Sequence, residues 1–375
     1  MSGPEHSPIA PSSAARWVQC PGSVALSAAY PQEETQRQRE GTAAHWACVE
    51  VLQGRTVDVG VIAPNGVVLT EEMCDGAEIY ADAVRADITS TAAWHIETRV
   101  DCPDIHEQSW GTPDAWVFDR PVRRLVITDY KFGHRLVDPF ECWQLINYAS
   151  GILRVHDVTG LEDQALTVTM RIVQPRGYHR DGPVREWVVT ASDLRPYFNR
   201  LAAAATVALQ PGATCTPGPE CRDCAGRHAC EALQRAGYQA ADAALSSVPL
   251  ELSPSALARE LQLLERSATL LDARITGLST AAQALLRAGA TVPGYSLEQG
   301  SGRERWKAPV AEVVMLGQMM GVDVSKPGTL TPKQAIKAGL PAELVNQYSE
   351  TPRGEVKLVP DGTRLAAVFG GARAA

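Results

Sequence analysis

No run of apolar residues in this sequence approaches the roughly 18 needed to cross a bilayer, so a membrane-spanning helix is excluded. The opening stretch, MSGPEHSPIAPSSAARW, lacks a basic segment followed by an apolar one. The sequence therefore predicts no secretory leader and a cytoplasmic protein. Positive charge is also in deficit. With 35 Lys and Arg against 43 Asp and Glu the formal net charge is −8, which argues against indiscriminate coating of nucleic acid, because phosphate binding needs local positive charge. It leaves room for a basic groove on an acidic protein. Nine cysteines without an export signal do not predict a disulfide scaffold. At 375 residues, 45% hydrophobic and 21% charged, the chain has the composition of a globular protein with a full core and two domains.

What is present is concentrated between Trp110 and Ala149, WGTPDAWVFDRPVRRLVITDYKFGHRLVDPFECWQLINYA. Two short apolar strands flank a polar turn, and a helical pattern follows. Asp114 opens the first strand. Asp129 and Lys131 close the second, two residues apart and therefore on one face, carried by the buried run Leu125, Val126, Ile127. Two carboxylates near a lysine suit metal-assisted hydrolysis of a phosphodiester. Hard oxygen ligands hold Mg²⁺ or Mn²⁺, which activates water and offsets phosphate charge. The lysine positions the nucleophile or stabilises developing negative charge. Taken alone, Asp-x-Lys is too short a pattern to carry this and reads as an ordinary strand end with a surface ion pair.

The neighbours narrow this reading. Gln144 and Tyr148, four apart, share a face of the helix that follows, and Gly41-Thr42-Ala43-Ala44-His45 opens another helical run upstream. The series His45, Gly111-Thr112-Pro113-Asp114, Asp129-Tyr130-Lys131 and Gln144-Leu145-Ile146-Asn147-Tyr148 resembles the RecB-type branch of the PD-(D/E)xK nuclease superfamily, which includes CRISPR-associated RecB-type exonucleases. Within that branch it is similar to a phage and prophage family marked by a leading CPGS and a cysteine cluster after the core. The resemblance covers residues 12–235. It implies a restriction-endonuclease-like α/β fold, a mixed sheet flanked by helices, and a metal-dependent DNA nuclease, an exonuclease serving phage recombination or DNA processing. It implies that His45, Asp114, Asp129 and the Tyr130 backbone carbonyl hold Mg²⁺ or Mn²⁺, with the imidazole favouring Mn²⁺ tolerance. Lys131 then assists the attacking water, and Gln144 and Tyr148 contact the nucleic-acid strand or hold the catalytic loop. DNA and a phage recombination or single-strand-annealing protein are the implied partners. Many relatives carry Glu-x-Lys where this chain has Asp-x-Lys, and the shorter arm changes the metal spacing. The rival readings are a catalytically inactive DNA-binding or scaffold protein on the same fold, which the intact Asp114, Asp129 and Lys131 oppose, and a zinc-containing interaction protein.

The cysteines divide into two sets. Cys48, Cys74, Cys102 and Cys142 are scattered singly and read as small buried or half-buried residues. Cys215, Cys221, Cys224 and Cys230 form Cys-x5-Cys-x2-Cys-x5-Cys, four thiolates that suit tetrahedral zinc or an iron–sulfur cluster. The resemblance implies a [4Fe-4S] cluster on Cys221, Cys224 and Cys230, with Cys20 of the CPGS turn as the distant fourth ligand, pinning the N-terminal helix to the end of the domain. Cys215 competes for that fourth place, and zinc remains the alternative.

Along the rest of the chain, the Pro- and Ser-rich residues 1–11 read as mobile. Helical patterns cover 12–26, interrupted by a turn at Cys20–Ser23, then 40–52, 70–92, 139–155 and 192–209. A polar loop is expected at 31–40 and a turn at Asn65-Gly66. Residues 94–100 read as a strand in which Glu97 is a further candidate carboxylate, Glu141 is a further candidate beside Gln144, and 165–174 and 184–190 are two more strands. Arg120, Arg123, Arg124, Lys131 and Arg135 are candidate phosphate contacts around the site. Residues 236–254 read as a linker to a C-terminal module, 255–375. That module opens with a helix capped by Ser253-Pro254. Its Leu257, Leu261, Leu264, Ala268, Leu271, Ile275, Leu278, Ala282 and Leu285 make a heptad seam for a helical hairpin or a homo-oligomer. A strand pair is expected at 293–308, where Arg303, Arg305, Trp306 and Lys307 suit stacking and phosphate contact or, equally, an aromatic anchor beside solvated charges. A short helix from Thr331-Pro332 and a strand, GEVKLVP, follow.

Overall fold

The apolar run expected to carry the acidic residues is the central strand of a five-stranded mixed sheet. The computed structural model describes residues 7–31, 34–244, 253–301, 305–306, 308, 310–324, 330–351 and 353–360. It divides into two compact units, Met1–Gly277 and Leu278–Ala375. The first begins with α1 (Ala14–Gln19), α2 (Ser23–Ala28), α3 (Gln36–Leu52) and α4 (Glu71–Arg85). The strands β1 (Ala93–Ile96), β2 (Val100–Asp101), β3 (Trp110–Gly111), β4 (Ala115–Asp119) and β5 (Arg124–Tyr130) follow. Then come α5 (Trp143–Val155), α6 (Leu161–Ala165), β6 (Thr167–Val173), β7 (Val184–Thr190), α7 (Ala191–Ala208), α8 (Glu231–Ala244) and the long α9 (Pro254–Arg287), whose residues 278–287 belong to the second unit.

The main sheet runs β1-β4-β5-β6-β7. Only β5 and β6 are parallel, and α5 lies in the crossover that such a pair requires. β4, β5 and β6 are covered on both faces, as their near-unbroken apolar sequences require. Alternation along β4 and β5 separates two cores. Trp116, Phe118, Leu125 and Ile127 pack with Leu145, Ile152, Leu194 and Leu201 of α5 and α7. Ala115, Val117 and Tyr130 pack with Ala44, Cys48, Met73 and Tyr80 of α3 and α4. Asp129 falls on the first of these faces, with Leu125 and Ile127.

Several boundaries differ from the sequence expectation, each for a local reason. The helix around His45 starts at Gln36 rather than at Glu40, because Thr35 and Gln38 form a capping box, so the expected loop at 31–40 is half helix. α4 stops at Arg85, short of residue 92. Beyond it Asp87 turns inward to ion-pair with Arg124 and Arg171, and the Thr89 and Thr91 hydroxyls bind Asp119. The strand expected over 94–100 breaks at Glu97, whose φ of 44° is left-handed. α5 starts at Trp143 rather than at 139. α7 starts at Ala191, one residue before the expected 192, because Thr190 caps it with Asp193 completing the box. Residues 7–11, expected to be mobile, are packed: Ile9 and Pro11 are buried, and the Ser7 hydroxyl donates to the Gln108 carbonyl. The expected linker is helical over its first part, 236–244, inside α8, and its residues 245–252 lie outside the described residues.

On α9 the buried positions are Leu270, Ala273 and Gly277, whereas Leu257, Leu261, Leu264, Ile275, Leu278 and Leu285 of the heptad seam are exposed. Within the second unit, β8 (Tyr295–Ser301) pairs with β11 (Arg353–Pro360), and β9 (Arg305–Trp306) pairs with β10 (Ser349–Glu350). The expected pairing of 293–308 with itself is therefore replaced by pairing with the last strands. Between them lie α10 (Val310–Met319), α11 (Pro332–Lys337) and α12 (Ala342–Tyr348), and Thr331 caps α11 as expected. Trp306 is half-buried against Val313, Val324, Ala335, Leu340 and Val345, and its indole N–H donates to the Leu330 carbonyl at 2.6 Å, so it anchors a small core rather than offering a stacking face. Arg303 and Lys307 lie outside the described residues. No helix among the described residues is long and apolar enough to cross a membrane.

Candidate functional site

The β4–β5 hairpin sets the site by its register. Ala115 pairs with Thr128, so one step further out Asp114 stands opposite Asp129. Lys131 follows directly after β5 and returns to Asp129, with Nζ 3.0 Å from Oδ2. Gln144, in the first turn of α5, spans the pair. Its Nε2 donates to Asp129 Oδ1 at 2.7 Å, and its Oε1 accepts from Lys131 Nζ at 3.0 Å. Tyr148, one turn on, donates its hydroxyl to the Thr112 carbonyl at 3.2 Å and so fixes the segment that delivers Asp114. From the other side of the sheet end, α3 brings His45 Nδ1 to 3.3 Å from Asp114 Oδ1. Tyr130 contributes its backbone N–H, which donates to Asp114 Oδ2 at 2.6 Å, while its phenol is buried in the α3–α4 core.

Charge is tightly coupled here. Burial works against the His45 imidazolium, but the charge and hydrogen bond of Asp114, helped by Asp129, more than reverse this and hold it at about 9. Burial also opposes ionisation of Asp114. His45, Lys131 and the Tyr130 N–H outweigh it and keep this carboxyl below its ordinary range. At Asp129 burial dominates, and with the Asp114 charge it overcomes Lys131, so this carboxyl is raised. Lys131 loses solvation too, yet Asp129 and Asp114 hold it charged. Two carboxylates facing each other, one pushed up, are the electrostatic situation that a divalent cation relieves.

The structure thus brings together His45, Asp114, Asp129, Lys131, Gln144 and Tyr148. The tightest ligand set differs from the expected one: among the described residues, ligand atoms of His45, Glu97 and Asp114 all lie within 4.8 Å of one another. Glu97 is exposed by area, but its carboxyl lies over the atoms at the sheet end. That packing, then the charge of Asp114, lifts it to about 7. The signal that finds it is register, not motif. Glu141 does not join the site; it sits at φ 50° and accepts from the Tyr197 hydroxyl at 2.7 Å. Of the candidate phosphate contacts, Arg120, Arg123 and Arg124 lie at the turn end of the hairpin, opposite the site. Arg120 pairs with Glu162 and Arg124 with Asp87. A seven-residue strand separates that turn from Asp129 and Lys131 by roughly 20 Å. Arg135, on the loop after Lys131, pairs with Asp223.

A second constellation lies where the N-terminal helices meet the end of the domain. Cys20, Cys215, Cys221, Cys224 and Cys230 line one pocket. Cys20 Sγ accepts from the Thr216 N–H at 3.3 Å across 196 residues of chain. Cys221 Sγ accepts from the Gly218 N–H at 3.3 Å, and Cys230 Sγ accepts from the Leu233 N–H at 3.5 Å. Such donors favour thiolates, although at Cys221 burial outweighs the Gly218 N–H and leaves the thiol raised. Cys224 Sγ lies 3.5 Å from the Ser27 hydroxyl. Cys215 is placed differently. Its thiol is within hydrogen-bonding reach of Cys230 and Cys20, and burial followed by those neighbours pushes it up to about 12. The CPGS turn is explained by contact: a methyl on Gly22 would lie 2.5 Å from the Ala213 carbonyl oxygen and 2.7 Å from Cys215 Sγ. Gly22→Ala is expected to destabilise the first unit by about 1–3 kcal/mol, read as a lower melting temperature with the cysteine pocket opened to thiol reagents. Of the single cysteines, Cys48 and Cys102 are buried and Cys74 and Cys142 half-buried.

A protein-family model described as "Protein of unknown function (DUF2800)" matches residues 6–363, nearly the whole chain.

Proposed function

We propose that this protein, which belongs to the DUF2800 family, is a divalent-cation-dependent DNA nuclease whose site is the end of the β4–β5 hairpin. The observation that carries the reading is the convergence of His45, Asp114 and the Asp129–Lys131–Gln144 triangle on one spot. Imidazole nitrogen and carboxylate oxygen suit Mn²⁺ or Mg²⁺, with Mn²⁺ the better match to the histidine. His45, Asp114, Asp129 and the Tyr130 carbonyl would hold the ion. When bound, it supplies charge neutralisation at a phosphate and a more acidic water. The chain's own groups do the rest. Lys131, held charged, faces the phosphate and orients the attacking water. Gln144 fixes Lys131 against Asp129, and Tyr148 fixes the loop that presents Asp114. An exonuclease role in phage recombination, with a recombination or annealing protein as partner, extends this reading along the resemblance.

For the thiol pocket the reading is a structural [4Fe-4S] cluster on Cys20, Cys221, Cys224 and Cys230. The N–H donors fall on Cys20, Cys221 and Cys230 rather than on Cys215, which supports Cys20 over Cys215 as the fourth ligand, and zinc on the same thiols is the alternative.

The test is purified protein incubated with end-labelled linear and with circular DNA, in Mn²⁺ or Mg²⁺. Linear DNA is expected to be degraded, with loss of the activity in chelator and in Asp129→Ala and Lys131→Ala. Intact DNA of both forms with the wild-type chain and either ion would remove the reading.

A further inference from the structure

Arg185 is a buried charge that the site described above does not use. β5 and β6 run parallel, so their last residues share one end of the sheet, and the hairpin into β7 turns at that end. Asp129 pairs with Ile172, and Ile172 pairs with Arg185. The three form one row across three strands. Ile172 lies in the α5–α7 core, so Arg185 shares the face of Asp129. Two strand spacings set it roughly 10 Å from Asp129 along the row. The β6–β7 hairpin therefore stands at the Asp129 end of the sheet, whereas the arginines of the β4–β5 turn stand at the other.

Arg185 is 8% exposed. Its Nη2 donates to the neutral Gln174 Oε1 at 2.7 Å, its Nε is buried without a partner, and no ion pair among the described residues includes it. A guanidinium keeps its proton, and a buried charge left without a counter-charge is strongly destabilising. The side chain lines an open cleft of about 510 Å³ with His179 and Arg180 of the hairpin. Three acidic residues line it too, and each is engaged elsewhere. Asp138 accepts the Phe140 N–H at 2.9 Å, Asp181 lies 3.5 Å from His179 and 3.6 Å from Arg180, and Glu186 pairs with Arg171 at 2.6 Å. Gln174, fully buried, ties Arg185 to the loop that leaves Lys131. Its Nε2 donates to the Gly133 and Arg135 carbonyls at 2.7 and 2.6 Å, and its Oε1 also accepts the Val137 N–H at 3.1 Å.

We propose that this cleft is a phosphate subsite in which Arg185 takes a backbone phosphate of the DNA strand, one that flanks the phosphate held at Asp129. The anion supplies the missing counter-charge, and the planar fork of the guanidinium suits phosphate oxygens. Arg180, with its side chain 89% exposed at the rim, adds positive charge along the strand's path. Gln174 holds the subsite and the Lys131 loop in one frame, so a strand seated on Arg185 is set in register with the cleavage site. This deepens the nuclease reading and rests on it for the identity of the strand, but not for the binding of an anion.

The experiment titrates a short fluorescein-labelled single-stranded oligonucleotide with the full-length chain, in chelator so that nothing is cut, and follows anisotropy over a range of salt. Arg185→Gln is expected to weaken binding by about tenfold. It should also flatten the slope of log affinity against log salt by about 0.7, the share of one phosphate contact on a single strand. The DNA-free melting temperature of the variant should be unchanged or higher, because an unpaired buried charge is gone and the new amide can still donate to Gln174. Arg185→Lys, which keeps the charge without the fork, should bind between the two. Where cleavage is measured, Arg185→Gln should raise KM by about tenfold and leave kcat within a few-fold. Affinity and salt slope kept by Arg185→Gln overturn the proposal. So does a lower DNA-free melting temperature with an unchanged salt slope, which would make Arg185 a structural residue. Inorganic phosphate is the probe for a free anion: if it stabilises the wild type and not the variant while oligonucleotide binding is unmoved, the strand assignment is wrong. Unchanged binding by the variant of a chain that cleaves DNA sinks this inference and leaves the nuclease reading standing. Weakened binding, on a chain that cleaves nothing with either ion, does the reverse.

Discussion

Lys131→Met is expected to slow DNA cleavage by about 10²–10³-fold while leaving Mn²⁺ binding within a few-fold of wild type. An ammonium has no lone pair to give a metal, so Lys131 cannot be a ligand. It is held charged by Asp129 and Asp114 against the cost of burial, and a lysine that keeps its proton acts on negative charge rather than as a base. Asp129→Asn should differ in kind, losing cleavage and ion affinity together. In metal-free protein Lys131→Met also strands the buried Asp129 without its counter-charge, so its melting temperature should fall below wild type, and saturating Mn²⁺ should restore most of the difference. The pH dependence has a definite sign. His45 rises from 6.5 to about 9 on folding, so in metal-free protein its pairing with Asp114 contributes stability in full below pH 6.5 and loses it as pH rises through about 9. An ion must displace that proton, so apparent Mn²⁺ affinity should climb by about tenfold per pH unit up to about pH 9. A flat affinity over that range would show that His45 gives up no proton and is not a ligand.

How much of this was legible in the sequence depends on the range of the interaction. The apolar runs of β4 and β5, the i, i+2 spacing of Asp129 and Lys131, and the i, i+4 spacing of Gln144 and Tyr148 are local. The structure places each where periodicity puts it, with Gln144 bridging Asp129 and Lys131. The mixed sheet with helices on both faces follows from the same alternation. Glu97 was visible as a carboxylate on a strand, but its partnership with Asp114 is a matter of which strand lies beside β4. No pattern within residues 94–100 states that β1, rather than another strand, holds that edge. The arginines of the hairpin turn failed for a related reason. Arg120, Arg123 and Arg124 are near Lys131 in sequence, yet a hairpin sends its turn to the opposite end of the sheet from its open ends. The shortened α4 is a tertiary override. Asp87 makes buried ion pairs with Arg124 and Arg171, and ending the helix lets it do so. The Ser7–Pro11 segment looked mobile by composition, although Ile9 had the side chain to fill a core.

Cys221→Ser is expected to cost the first unit about 4–5 kcal/mol and to lower its melting temperature by about 10–15 °C. A four-thiolate centre would act as a cross-link between Cys20 and a segment far along the chain, where the loop removed from the unfolded ensemble is long and its length matters only logarithmically. Packing limits the damage. Ile9 and Trp17 are fully buried against the α5–α7 core, and a side chain so buried contributes about 2–3 kcal/mol, so the N-terminal helices are tethered by more than the thiols. The same substitution should remove the brown colour of anaerobically purified protein, whereas Cys215→Ser should keep the colour and melt within a few degrees of wild type. Cleavage should fall in Cys221→Ser, and the route is testable. A direct link from the cysteine loop to the segment after Lys131 is the Arg135–Asp223 pair at 3.0 Å, with both side chains more than half exposed, and an exposed pair contributes at most about 1 kcal/mol. Arg135→Ala should therefore be nearly silent. If instead it reproduces the loss of cleavage while colour and melting temperature hold, the thiol centre acts on the site through that contact, and a purely structural role for it is wrong.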